Sequence, residues 1–384
     1  VLQECNDDPD QTNKDDRATK VSGDLREWDC PYRCLTKGLR VWCREFSCRF
    51  KLVNKATYTF FTGHSEILRV LRCLPMKRSF WIDTDTASDD AVALILAFMN
   101  PTIEVVGVSV VAGNVPLDMG IQNALYTAEI CNSQVPIYAG AEAPLVRALG
   151  TAQFVHGHDG MGDIGLALTG RTPSAGNAID KLIEAVHATP GEIELVTLGP
   201  LTNIALALHK DPSIAQSIKR CVVMGAVADH IGNVTQVAEF NMWVDPEAVD
   251  VVLQSGMHLE FVGWDISRTA AVVTPQESAM IRSIGTDRAR FAIDIQRIVE
   301  KFCAEETHLN GFDLPDPIAM AYAIDTTIAL EAHHWYLSVE TQSELTRGMV
   351  VMDTLGVMHE EPNAVVVTSA SHERFMSMLV DVLQ

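Results

Sequence analysis

The sequence predicts an α/β fold with a mostly parallel, Rossmann-like central sheet and helices on both faces. Three observations carry this. From about residue 79 onward, short apolar runs alternate with helical stretches. Acidic and amide side chains gather directly after several of those runs, where open parallel sheets present their ligands. Finally, 384 residues with 47% hydrophobic content supply a large core, enough for one big α/β domain or two smaller ones.

Residues 1–75 do not share the pattern. They mix charges, cysteines and aromatics without a sustained apolar period, and they are expected to form a tail rather than an independent domain. Met76-Lys77-Arg78-Ser79-Phe80 reads as a natural beginning, so the functional domain is expected to span 76–384. No charged run followed by an apolar stretch and a small-residue cleavage site precedes it, and no segment reaches transmembrane length. From there Ile103 to Val111 reads as a strand, Leu117 to Cys131 as a helix, Val135 to Tyr138 as a strand and Asn177 to His187 as a helix. Ile193 to Leu198, Leu201 to His209, Ser217 to Met224 and Pro246 to Gln254 continue the alternation, and Leu259 to Trp264 is a short strand. Residues 274–310 read as helical. Asp316 to Ile324 is a helix with Asp316 as N-cap and Pro317 at its first position. Trp335 to Val339, Val350 to Met352 and Ala364 to Thr368 are strands before a closing helix.

The net charge of −21 is unevenly placed, since residues 1–75 carry 13 basic and 11 acidic side chains while residues 76–384 carry 16 and 39. So acidic a body repels polynucleotides and anionic lipid, which leaves a small neutral or cationic ligand, or a metal, as the natural partner. Of nine cysteines, six lie at Cys5, Cys30, Cys34, Cys43, Cys48 and Cys73. Their spacing fits no zinc pattern well, and no histidine follows closely. Cys131, Cys221 and Cys303 sit within or beside apolar runs, as expected of a reduced, cytoplasmic protein.

Chemistry concentrates in Phe80-Trp-Ile-Asp83-Thr-Asp85-Thr-Ala-Ser88-Asp89-Asp90, where an apolar run turns into four carboxylates and then an alanine-rich helix. Taken structurally, this is a βα turn with Ser88 as N-cap and Asp89 and Asp90 in the first turn. Capping leaves Asp83 and Asp85 over. Like charges this close need protons or a cation between them, and a hard divalent ion suits carboxylate oxygens. Asn114 ends the next strand beside this loop, and the turn after Leu198 could turn a backbone carbonyl toward the same cation.

The loop resembles the aspartate-rich D-x-D-x-x-x-D-D motif of the inosine-uridine-preferring nucleoside hydrolases, with Thr86-Ala87 where that family usually has Pro-Gly. Apolar residues before Asp83-Thr-Asp85-Thr86 also fit the nucleophile loop of haloacid-dehalogenase-type phosphatases. A second stretch, Gly232-Asn233-Val-Thr-Gln-Val-Ala-Glu239-Phe-Asn241-Met-Trp-Val-Asp245-Pro246-Glu247-Ala248, discriminates. Helix-start chemistry explains Asp245 to Glu247 but not Asn233, Glu239 and Asn241 together, whose amides and carboxylate suit vicinal hydroxyls. The nucleoside hydrolases share this segment, so the resemblance spans about 79–330. The phosphatases have no account of it.

The resemblance implies a calcium-dependent N-ribohydrolase with the nucleoside hydrolase fold, acting on ribonucleosides as a homodimer or homotetramer. By it, Asp85, Asp90, the Leu198 carbonyl and Asp316 hold Ca2+, and Asp85 also accepts a proton from the attacking water. Asp89, Asn114, Asn233, Glu239 and Asn241 hold the ribose hydroxyls. Asp83 helps position the loop. Many relatives carry a histidine, the acid for the departing base, directly before the last aspartate, whereas here that residue is Pro315. His156 and His158, in the Gly-rich loop Phe154 to Gly162, are the replacement candidates, and the bland alternative for each is a solvated loop residue. The loss at Pro315 also leaves open a non-catalytic ribose- or nucleoside-binding protein. Trp243 and Trp264 read as packing residues rather than partners for a base.

Overall fold

The computed structural model describes residues 39–44, 47–52, 59–62, 77–229 and 231–384. The chain divides into two units, Val1–Pro75 and Met76–Gln384. In the first, β1 (Leu39–Arg44), β2 (Ser47–Leu52) and β3 (Thr59–Thr62) pair antiparallel in the order β1-β2-β3. Alternation such as Leu39-Arg-Val41-Trp-Cys43-Arg carries the period of two that the mixed charges obscure. The side chains of this unit, including its cysteines, lie outside the described residues, as does Met76.

The second unit opens with β4 (Arg78–Thr84), α1 (Ser88–Met99), β5 (Ile103–Val110), α2 (Leu117–Ile130), β6 (Ile137–Ala139), the one-turn α3 (Gln153–His156) and α4 (Ala178–Ala188). It continues with β7 (Ile193–Thr197), α5 (Thr202–Lys210), α6 (Ile214–Ser217), β8 (Arg220–Met224), α7 (Phe240–Val244), α8 (Pro246–Leu253) and β9 (Leu259–Val262). Then come α9 (Trp264–Ala270), β10 (Val272–Val273), α10 (Pro275–Ser283), α11 (Asp287–Asp294), α12 (Arg297–Phe302) and β11 (Phe312–Asp313). The unit closes with α13 (Pro315–Ile324), β12 (Ala329–Val339), β13 (Val350–Asp353), β14 (Ala364–Ala370) and α14 (His372–Leu383).

Nine strands form one sheet in the order β13-β12-β14-β9-β8-β7-β4-β5-β6. Every pair from β14 to β6 is parallel, and only β12 pairs antiparallel, with β14 and β13. The central parallel strands are buried on both faces, with alternate residues going to two cores. Phe80, Ile82, Val196 and Val222 join the core of α1, α2, α13 and α14, whereas Trp81, Leu195, Cys221 and Phe261 join that of α4, α5 and α8. Strand order reverses beside β4, because β5 and β6 build to one side and β7, β8 and β9 to the other. A crevice at the carboxyl ends of β4 and β7 follows from that topology.

Local boundaries differ in three places that matter. Ala87, not Ser88, precedes the first turn of α1, and Asp90 reaches back to accept the Ala87 N–H at 2.9 Å. Helix α13 starts at Pro315, so Asp316 is its second residue rather than its cap. Trp264 opens a helix instead of ending a strand, and the 274–310 stretch breaks into three helices and a π-turn, the first break at Gly285 with φ +81°.

At the opposite, amino end of the strands, Glu194 is 2% exposed and accepts from Arg78 Nε (2.9 Å), Lys219 Nζ (2.8 Å) and Arg220 Nε (2.8 Å). Arg78 and Arg220 also donate to the last carbonyls of α13, Ala323 and Ile324. These cations meet the negative helix end and fix α13 to the sheet. Burial alone would raise the Glu194 carboxyl, but its three cationic donors outweigh it and hold it at about 2 instead of 4.5. Its contribution is therefore complete above pH 4.5 and is lost as the pH falls toward 2. Glu194→Ala removes the acid shared by Arg78, Lys219 and Arg220, leaving Arg220 its pair with Glu260, and chemical denaturation at pH 7 is expected to show a loss of about 1–3 kcal/mol. A variant as stable as the parent would show that the cluster contributes nothing net.

Candidate functional site

The carboxyl ends of β4, β5, β7 and β8 deliver their polar side chains to one cavity of about 840 Å3, its open mouth included. Asp89, Asn114, Leu198, Asn233, Glu239, Asn241, Asp316 and His156 all line it. Asp85 and Asp90 lie fully buried beneath. His158 is exposed and is not part of the lining, and its carbonyl accepts Gln153 Nε2 at 2.6 Å.

The acids are held by neutral donors. Asp85 Oδ2 accepts the Asn114 N–H at 2.6 Å, and Asp90 accepts from Thr84 Oγ1 at 2.5 Å and Asn114 Nδ2 at 3.3 Å. Asn114 thus ties two carboxylates together. Asp83 is anchored behind them by Ser109 Oγ and, at 2.8 Å, Asn203 Nδ2, with burial pushing its carboxyl up to about 7. Gly113 and Gly199 face the two oxygens of Asp85, and a Cβ at Gly199 would lie 2.7 Å from Oδ1. No larger residue fits that contact.

What these acids lack is a counter-charge, since among the described residues no lysine or arginine lines the cavity. Burial first, and then repulsion among neighbours, raises the carboxyls of Asp85, Asp89 and Asp316 well above the ordinary range. Asp85 Oδ1, Asp89 Oδ1 and Asp316 Oδ2 are buried without a hydrogen-bond partner. Carboxylate oxygens of Asp89, Asp90 and Asp316 come within 4.8 Å of one another. Orphaned, converging, oxygen-only donors fit a hard divalent cation. Asp89 was not among the metal ligands expected from the sequence, and the Leu198 carbonyl, which was, accepts Asn241 Nδ2 at 2.7 Å.

The second polar group is built around a helix start. Glu239 caps α7, accepting from the N–H groups of Asn241 (2.8 Å), Met242 (3.2 Å) and Ala226 (3.3 Å), and burial raises its carboxyl to about 7. Capping thus accounts for part of what the sequence suggested was ligand chemistry. Ala226 takes φ +65°, a conformation a non-glycine residue adopts at a cost, and in it donates to Glu239. Asn233 is exposed at the mouth.

His156 is not a solvated loop residue. It is 7% exposed, its Nδ1 lies 2.9 Å from Ser88 Oγ and 3.6 Å from Asp89 Oδ1, and burial lowers its pKa to about 4. Ser88 is therefore spent on the histidine rather than on capping. The remaining walls are apolar, with Phe154 against Phe302 (centroids 6.0 Å apart), Val299, Trp264 and Pro315. Trp264 belongs to the cavity, contrary to its reading as packing. Trp243 does pack, against Phe240 and under the Arg347 guanidinium. Asp313 and Cys303 also line the cavity and were missed, because a lone acid just past the stretch read as helical and a lone cysteine within it carry no pattern.

A sequence model described as "Inosine-uridine preferring nucleoside hydrolase" matches residues 80–377. The chain belongs to that family. It is 34% identical over 312 residues to the inosine-uridine preferring nucleoside hydrolase of Leishmania major, covering 80% of this chain and 98% of that one. It is 35% identical to the pyrimidine-specific ribonucleoside hydrolase RihA of Shewanella sp. (strain MR-7), covering 80% and 96%. Among solved structures, the purine-preferring ribonucleoside hydrolase from Gardnerella vaginalis superposes with a TM-score of 0.74 at 27% identity over 80% of this chain and 99% of that one. This nucleoside hydrolase is thus a glycosidase-type enzyme, and the phosphatase alternative falls away.

Gly199→Ala is expected to push Asp85 aside and lower kcat/KM about 100-fold, as misplacement by an ångström can, while the melting temperature changes little. Full activity would show that the Asp85 position is not critical.

Proposed function

We propose that the chain hydrolyses the N-glycosidic bond of ribonucleosides with Ca2+, releasing ribose and free base. The observation that supports this best is the set of orphaned carboxylate oxygens at one end of a cavity whose other end is apolar and aromatic. Asp85, Asp90, Asp316 and the Leu198 carbonyl hold the cation in this reading, with Asp89, whose oxygen converges with those of Asp90 and Asp316, beside it. Bound there, the cation makes a neighbouring water more acidic.

The residues of the chain supply the rest. Asp85 Oδ1, without a donor of its own, accepts the proton of the attacking water. Asp89, Asn114, Asn233, Glu239 and Asn241 hold the ribose hydroxyls, and the negative pocket favours the oxocarbenium-like state as the bond to the base breaks. His156 stands beside the cavity in place of the missing histidine, but burial keeps its ring neutral at pH 7, so it can orient the departing base better than protonate it. His158 is less suited, being outside the cavity. The relatives are described variously as pyrimidine-specific, purine-preferring and inosine-uridine preferring, so neither purines nor pyrimidines are assigned.

The catalytic unit in this proposal is 76–384, assembled as a homodimer or homotetramer in the cytoplasm. The free buried cysteines Cys131, Cys221 and Cys303 and the exposed apolar loop Leu355, Val357 and Met358 are consistent with it. No described helix is long and apolar enough to cross a membrane. Pro315 favours one rival, a ribose- or nucleoside-binding protein without turnover. Ribose released from inosine or uridine decides between them.

Chelation should abolish ribose release and added calcium restore it. Asp85→Asn is expected to cost at least about 100-fold in kcat and to weaken calcium binding measured by calorimetry. Asn241→Ala should keep the cation and lose about 1–3 kcal/mol of transition-state binding. Equal calcium loss in both variants would contradict this division of roles.

With Pro315 and a neutral His156, a nitrophenyl riboside, whose leaving group needs no proton, should react about 10²–10⁴-fold faster than inosine or uridine. Comparable rates, unchanged by His156→Ala, would point to a different acid.

A further inference from the structure

Beyond the sugar end, the cavity is walled by Phe154, Val299, Phe302 and Trp264, and one carboxylate stands among them. Asp313 is 6% exposed, lines the cavity, and lies outside the acidic cluster that suits a cation. Its backbone is fixed by the short pairing of β10 with β11, where Val272 faces Asp313. Its charge acts on Asp89, which places it within electrostatic reach of the sugar end.

The donors around Asp313 are too few. Ser267 Oγ lies 2.7 Å from Asp313 Oδ2, but the same hydroxyl is 2.7 Å from the Trp264 carbonyl, and it has only one proton to give. Oδ1 faces Cys303 Sγ at 3.5 Å, a weak donor. Among the described residues, no lysine or arginine lines the cavity to supply more. A buried carboxylate left this short of donors is costly unless a ligand completes it. In an apolar slot of aromatic walls, the group that would complete it is an N–H of a flat heterocycle.

We propose that Asp313 is a specificity-determining residue that accepts a hydrogen bond from an N–H group of the nucleobase. This rests on the nucleoside hydrolase reading above. Inosine and uridine carry a ring N–H and adenosine and cytidine an amine, whereas purine riboside and 2-pyrimidinone riboside carry neither. Sites built to bond a polar group reject analogues that lack it far more strongly than apolar pockets reject a missing methylene.

The test compares kcat/KM for inosine and uridine with kcat/KM for purine riboside and 2-pyrimidinone riboside, in the unaltered protein and in Asp313→Asn and Asp313→Ala. Taking the ratio cancels the intrinsic reactivity of each leaving group. Asp313→Ala, the deciding variant, is expected to lower the N–H-bearing substrates at least about tenfold relative to the other two, and Asp313→Asn, which keeps one acceptor oxygen, to lower them by less. An unchanged ratio, or equal loss on all four substrates, would overturn the assignment, the second because it marks a role in the fold or in bond cleavage. If the unaltered protein releases no ribose from any substrate, the hydrolase reading fails separately. Dissociation constants then decide the matter for Asp313, with inosine expected at least about tenfold tighter than purine riboside in the unaltered protein and equal affinity overturning the proposal.

Discussion

Five carboxylates, Asp83, Asp85, Asp89, Asp90 and Asp316, are buried at the carboxyl ends of the parallel strands, with no lysine or arginine among the described residues that line the cavity they serve. Removing a charge from water costs several kcal/mol per ion even after relaxation, so such a cluster persists only with protons or a cation in it. Much of the local architecture follows from that constraint. Asp90 takes an N–H from the start of its own helix, Asn114 spends both its backbone and its side chain on the acids, and two glycines give Asp85 its room. Each device uses a neutral donor or removes an obstacle. None neutralises the charge, and that leaves the task to protons or to a cation held in the cavity.

Helix α13 carries the same constraint across the molecule. Its first turn places Asp316 into the cluster, where repulsion from Asp89, Asp90 and Asp85 opposes it. Its last carbonyls are held at the far edge of the sheet by Arg78 and Arg220, which Glu194 in turn holds between them. A helix loaded with unfavourable charge at one end is thus secured by favourable charge at the other. The two clusters lie at opposite ends of the same parallel strands, so the sheet separates the site's chemistry from what fixes the site's parts.

The alternation of apolar runs was enough to read the parallel sheet, because strands buried on both faces and joined by helices leave that mark. The acid loop was legible for a similar reason, since capping cannot use four carboxylates. What stayed hidden were roles set by a partner far away in sequence. Ser88 reads as a cap until His156, 68 residues on, takes its hydroxyl. Glu239 and Asn241 read as ligand groups, yet one caps a five-residue helix and the other bonds the Leu198 carbonyl. Asp313 carries no local pattern, and only the pairing of two-residue strands brings it to the cavity. The helix at Trp264 was missed because the apolar run before it continues past the end of the strand.

The two ends of the cavity make opposite demands on the bond between them. In the proposed reading, carboxylates at the sugar end favour a cationic ribosyl group, and the same charges disfavour an anionic base departing nearby. In an apolar slot without lysine or arginine, that penalty is screened less than it would be in water. The base therefore leaves most easily when its charge is neutralised by a proton or spread over a ring. Pro315 supplies no proton, and His156, buried and neutral, can align the base but holds no proton to spare at pH 7. The acidity that makes this chain good at one half of the reaction is what makes the other half depend on the leaving group.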